Sequence, residues 1–202
     1  MNVLSEFLII ALSAAVLQNA VFTRGLGSSR DTLMMGAPRR IFAFGAALTF
    51  ITVVSAALAW PLNRLLREQQ LSTRLGIRYL TSISTLACVC AVFTLLYLVT
   101  RAWFPRIHYP LRRDAANAAF SCAVLGTILI AFSGGYGFVK TVGFAFGSGI
   151  GYTAALLLVR EGRRRIALSD VPRAFRGLPI MLLYIGILSL AIYGLIGHQL
   201  PT

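Results

Sequence analysis

The sequence predicts an all-α polytopic membrane protein, and three observations lead to that class. Of its 202 residues, 57% are apolar and only 12% charged, with a mean hydropathy of +0.78. A soluble domain carries about 25% charged residues. Six apolar runs approach the length of about 20 residues that a helix needs to cross the hydrocarbon core. The 19 basic residues, set against 6 acidic ones, fall mainly between those runs.

The first run, Leu4 to Phe22, has no basic residue ahead of it and carries Glu6 at its start, with no small-x-small cleavage site behind it. It reads as a retained span and not as a signal peptide. The second, Ile41 to Leu62, follows Gly36-Ala37-Pro38-Arg39-Arg40. The third, Tyr79 to Thr100, is closed by Trp103-Phe104-Pro105-Arg106. The fourth, Ala115 to Ser133, ends in the breaker Ser133-Gly134-Gly135-Tyr136-Gly137, and the fifth and sixth are Phe138 to Val159 and Leu178 to Ile196. None alternates as a barrel strand must, so helices are what satisfies their backbone in lipid. The connections have the length of loops between neighbouring helices, which makes residues 1–202 a single integral membrane domain.

The basic residues sort by connection. Fourteen of the 19 fall after spans one, three and five, and five after spans two and four. The positive-inside rule then places the first, third and fifth connections in the cytoplasm and both termini outside. A pI near 11.0 also suits a nucleic-acid footprint, but these arginines are dispersed over short loops, so topology accounts for them and no nucleic-acid partner is expected. Arg163-Arg164-Arg165 suits anionic lipid headgroups.

Intramembrane chemistry is sparse. Asp31, Glu68, Asp114, Glu161 and Asp170 sit in loops or at span ends, and Glu6 lies in the first two turns of span one. No span has a carboxylate near its middle, which argues against a self-contained ion relay through side chains. Backbone carbonyls at a broken helix are the other way to coordinate a cation. His108 lies in a loop and His198 near the C-terminus, so no Ser/His/Asp or Cys/His catalytic set forms inside the membrane. Gly143, Gly147 and Gly151 recur every four residues, a spacing that lets a neighbouring helix approach closely. A helix break lining a site is the alternative. Cys88 and Cys90 lie about 200° apart around a helix, read as small core residues, and share no metal. Neither they nor Cys122 is expected in a disulfide.

Span four carries Ser121-Cys122-Ala123-Val124-Leu125-Gly126. This resembles the Asn-Cys-Ala-Val-Leu-Gly motif of the paralogous A and E membrane subunits of the Rnf electron-transport complex, and of the D and E subunits of the sodium-pumping NADH:quinone reductase. Arg160-Glu161 and then Asp170-Val171-Pro172-Arg173-Ala174-Phe175-Arg176-Gly177 resemble the same family's fifth connection, and Leu17-Gln18-Asn19 with Leu26-Gly27 its first span. The likeness covers nearly the whole chain and is nearest to the Rnf A subunit.

The resemblance implies a bacterial inner-membrane protein built as an inverted pair of three-helix repeats, about 1–104 and 105–202. Asn19-Ala20-Val21-Phe22 against Asn117-Ala118-Ala119-Phe120 is its trace in the sequence. It also implies a non-autonomous subunit of an ion-translocating oxidoreductase, partnered by a paralogous six-helix subunit. Each partner gives two cysteines to a shared 2Fe-2S cluster, and flavins are held by other subunits only. Cys122 occupies one ligand position. At the other, two residues after Leu26-Gly27, stands Ser29.

Fe–S clusters are held by Cys thiolates as a rule. Ser29 ligates as an alkoxide, or the partner or a residue such as Cys88 supplies the missing donor, or the cluster is absent. Tyr97-Leu98-Val99-Thr100 is neutral where the family has an acidic residue near the end of span three. Two functions stay open: a redox subunit carrying electrons across the membrane, and a cluster-free homologue acting as a structural or transport-type scaffold.

Overall fold

A computed structural model of the chain describes residues 3–26, 37–68, 77–103 and 116–196. Every regular element among them is helical. In chain order these are α1 (Val3–Val16), α2 (Ala20–Arg24), α3 (Pro38–Glu68), α4 (Ile77–Trp103), a single helical turn at 116–119, α5 (Cys122–Ser133), α6 (Phe138–Ala167), a 3-10 turn (Arg173–Phe175) and α7 (Leu178–Ile196).

The described residues thus form a polytopic helical membrane protein. Four helical segments are long and apolar enough to cross a bilayer: Pro38–Leu65, Thr81–Arg101, Ala116–Ser133 and Phe138–Ala167. The first and last expected spans are present as shorter apolar helices, Leu4–Val16 and Leu178–Gly194. The first is shorter because it is interrupted. After Val16 the chain leaves the helix and re-enters at Ala20, with Asn19 in an extended conformation as the N-cap. Span four is interrupted in the same way at Phe120 and Ser121. Span five is not: α6 runs unbroken through its glycines, so close packing is their role.

The neighbour those glycines admit is α1. A Cβ on Gly143 would come within 3.2 Å of the Phe7 carbonyl oxygen, one on Gly147 would overlap the Ala11 backbone, and one on Gly151 would lie 2.5 Å from the Ala15 oxygen. Phe7, Ala11 and Ala15 also recur every four residues, so two matched stripes let the backbones touch. A different side of α6 meets α3 through reciprocal pairs: Gly45 faces Thr153 and Gly149 faces Thr49. Helix α6 therefore sits at the centre, with α1 and α3 packed along it and α5 and α7 against it, while α4 packs on α3 and α5. Phe44 and Tyr152, both fully buried, meet at 6.3 Å between ring centroids in this core. The opposite faces present Leu4, Leu8 and Leu12 of α1 and Leu95 and Leu98 of α4 outward, as lipid-facing surfaces do.

One end of the bundle is tied by aromatic and polar contacts. The Trp60 indole N–H donates to the Tyr136 carbonyl at 3.2 Å, its ring packs edge-on against Phe138 at 5.5 Å, and Arg64 lies over it at 5.7 Å. Lys140 and Glu6 pair at 3.7 Å. The start of α1 and the connections following spans two and four therefore share one end.

Candidate functional site

The two interruptions converge. Asn19 is buried, at 4% exposure, and its side chain is fully used. The amide nitrogen donates to the Ala15 carbonyl at 3.0 Å and to the Gly151 carbonyl at 2.8 Å, and the amide oxygen accepts from the Val21 N–H at 3.0 Å. One side chain thus ends α1, begins α2 and fastens both to α6. An extended Asn accepting from the N–H two residues on is a standard N-cap, and burial makes its partners necessary.

α2 ends as abruptly. Gly25 takes φ +64°, its N–H donates to the Val21 carbonyl, and the Leu26 N–H reaches back to the Ala20 carbonyl, both at 2.9 Å. This paired closure needs a left-handed residue, which glycine adopts freely. It delivers the Leu26 side chain onto Gly126 of α5, where a Cβ would lie 2.5 Å from Leu26 Cδ1. The Leu-Gly pair of span four thus receives the leucine of the Leu-Gly pair of span one. The Ser189 hydroxyl of α7 closes the other side by donating to the Phe22 carbonyl.

At the second interruption the Ser121 hydroxyl accepts from the Ala123 N–H at 3.3 Å and starts α5 with Cys122 as its first residue. Ser121, Ala123 and Val124 are buried, whereas Cys122 is exposed. Its neighbour Phe120, 58% exposed, packs edge-on against Phe93 of α4 at 5.5 Å between centroids. One turn further, Thr127 donates to the Ala123 carbonyl at 2.7 Å and lies 2.9 Å from the Ser148 hydroxyl. A threonine has one O–H to give, so Ser148 of α6 is the donor in that pair. The thiol of Cys122 thus stands on a helix end fixed from three sides and turned away from its own core.

Cys122 is in no disulfide, nor are Cys88, which is buried, and Cys90, which is half-buried. Among the described residues no group of three or more His, Cys, Asp or Glu side chains lies close enough to hold a metal. Ser29, His108 and His198 lie outside the described residues. The chain brings one described thiol to the interruption, so a metal centre there requires donors beyond the described residues or on a second chain. Asn19 appears in the sequence only as part of a motif, and Thr127, Ser148 and Ser189 carry no sequence signal of their own. Their partners are carbonyls and hydroxyls that the sequence alone does not pair with them.

The fifth connection, the other stretch with a distinctive pattern, is a folded turn. Helix α6 closes with Leu168 and Ser169 N–H groups donating to the Arg165 and Ile166 carbonyls. Pro172 caps the 3-10 turn, the Arg176 guanidinium Nε donates to the Val171 carbonyl at 2.8 Å, and Gly177 takes φ +93° to enter α7. Pro, Arg and Gly each have a structural job here, and Leu168 and Phe175 are left exposed at the surface.

Residues 7–198 match the family described as "Rnf-Nqr subunit, membrane protein". The chain is 32% identical over 192 residues to the protein of Aromatoleum aromaticum named as the A subunit of the ion-translocating oxidoreductase complex, covering 95% of this chain and 97% of that one. Proteins of the same name are 32% identical in Syntrophotalea carbinolica and 30% identical in Cereibacter sphaeroides, each over 96% of this chain and 98% of the relative.

Proposed function

We propose that this chain, which belongs to the Rnf-Nqr family of membrane subunits, is the A-type subunit of an ion-translocating oxidoreductase complex. The names of its relatives support that assignment. In this reading the chain is not an enzyme by itself. It works with a six-helix paralogue and carries electrons across a bacterial inner membrane through a 2Fe-2S cluster between the two. The observation that carries the finer part is the exposed thiol of Cys122, set at the first residue of α5, the helix on which Leu26 packs one turn further at Gly126.

The donor set fits a shared centre better than a private one. Cys122 offers one sulfur donor on the surface of the bundle, and Ser29, at the second family position, offers a hydroxyl. When bound, such a cluster supplies one-electron transfer. The chain's own contribution is placement. Asn19 and Ser121 break two spans inside the bundle, Leu26 on Gly126 packs the end of α2 against α5, and Phe120 rests on Phe93 of α4. The scaffold reading is the second one, and Ser29 in place of a cysteine favours it.

We read the architecture as six crossing segments in two inverted halves, each an interrupted helix followed by two others. The reciprocal Gly45–Thr153 and Gly149–Thr49 pairs relate α3 to α6 as such halves require. With 14 of the 19 basic residues on alternate connections, the end tied by Trp60 and Tyr136 faces outward, with both termini.

The test is the iron content and visible spectrum of the purified complex. Cys122→Ala removes the cluster absorbance and electron transfer, Cys88→Ala and Cys90→Ala leave both unchanged, and Ser29→Cys strengthens the absorbance. A complex that keeps its iron and its turnover after Cys122→Ala makes Cys122 a bystander and leaves the scaffold reading.

A further inference from the structure

We infer that the cleft between α3 and α6 is a binding site for one anionic phospholipid, with an acyl chain in the cleft and the headgroup phosphate on Arg39. The cleft holds about 650 Å³ and is walled by Phe42, Ala46 and Val53 of α3 and by Phe146, Ala154 and Leu157 of α6. Its floor is the close crossing at Gly45 and Gly149. The hydroxyls of Thr49 and Thr153 there donate back to the Gly45 carbonyl at 2.7 Å and the Gly149 carbonyl at 2.9 Å. The hydroxyl protons are thereby spent within each helix, and the lining suits hydrocarbon.

Length and charge choose the occupant. From Phe42 to Val53, and from Phe146 to Leu157, the walls advance about 16 Å at 1.5 Å per residue. That is close to half of a hydrocarbon core of about 30 Å, so the cleft is one leaflet deep, where a partner's crossing helix would use both. The helical stripe through Phe42 continues at Arg39, which is exposed. The stripe through Leu157 continues at Arg160 and Arg164. Because α3 and α6 run antiparallel, with Gly45 opposite Thr153, all three arginines gather at the same mouth. Glu161 is the one carboxylate among the described residues of that stripe, and it is shared by Arg164 and Arg165 at 3.7 and 3.8 Å. Among the described residues the mouth is therefore net positive over an apolar slot, the arrangement in which basic pockets between membrane helices hold anionic headgroups.

The probe is spin-labelled phosphatidylglycerol, compared with spin-labelled phosphatidylcholine, in phosphatidylcholine vesicles containing the purified complex. We expect a larger motionally restricted fraction for phosphatidylglycerol. Arg39→Gln lowers that preference by about fivefold, and Ala154→Leu, which fills the slot, removes the restricted phosphatidylglycerol component while the complex stays assembled. Equal restriction of the two lipids, or a preference that survives Arg39→Gln, overturns the inference. So does an Ala154→Cys variant that cross-links to another protein of the complex, because a protein helix then occupies the cleft.

Discussion

Asn19 joins α1, α2 and α6 with one amide: its bonds with the Ala15 carbonyl and the Val21 N–H serve backbone groups at two helix ends, and the third reaches across to the Gly151 carbonyl of the unbroken α6. Asn19→Ala removes three hydrogen bonds at a buried position, which costs about 2 to 4 kcal/mol at the usual worth of such bonds. Asn19→Asp is worse, since it keeps the acceptor for Val21 and sets a carboxylate oxygen against the Gly151 carbonyl. Thermal unfolding of the purified complex checks the order: wild type above Asn19→Ala above Asn19→Asp. The same residue marks what a sequence read in isolation conveys. That Asn19 is special is legible, because an amide in an apolar run must find partners. Which partners is not, because Gly151 lies 132 positions away. Cys122 divides likewise. Its motif is legible, but its exposure depends on how α5 is held by Thr127, Ser148 and Leu26, of which only Leu26 stands in a motif of the sequence.

Among the elements, α6 is the most readable and α1 the least. A four-residue glycine period on an apolar run implies a close neighbour, and a close neighbour is present. That the neighbour is α1 of the same chain follows from the matching Phe7, Ala11 and Ala15 stripe. Gly147→Ala puts a methyl group into the Ala11 backbone, so α1 must shift as a body, a strain of about 1 to 3 kcal/mol. Gly186 of α7 has nothing within 4 Å of an added Cβ, and Gly186→Ala is neutral or stabilising because alanine is the better helix former. Protease protection of α1 in membranes separates the two, lost in the first variant and intact in the second. Hydropathy locates the apolar segments, but averaging over a window hides a cap. The interruptions at Asn19 and Ser121 show only in their hydrogen bonds.

At the scale of the molecule the charge pattern and the contacts can be tested together. Leu168, 90% exposed, lies in the arginine-rich fifth connection, and Lys140 lies at the Trp60 end beside Glu6. A Leu168→Cys variant is labelled by a membrane-impermeant thiol reagent only from the cytoplasmic side, and Lys140→Cys only from the outer side, each in a background with the three native cysteines replaced. Reversed labelling inverts the orientation and places the chain with oppositely oriented paralogues.

The pairing of α1 with α6 also sets a schedule for biosynthesis. α1 leaves the ribosome well before α6, since the glycines that receive it begin at Gly143. At about 5 to 20 residues per second, roughly 7 to 26 seconds pass before that surface exists. During that interval α1 has its lipid-facing leucines to hold it in the bilayer and no protein contact for its small-residue stripe. The nascent chain therefore passes through a stage in which α1 is inserted and unclaimed, and an insertase that shelters small-residue faces shortens the exposure.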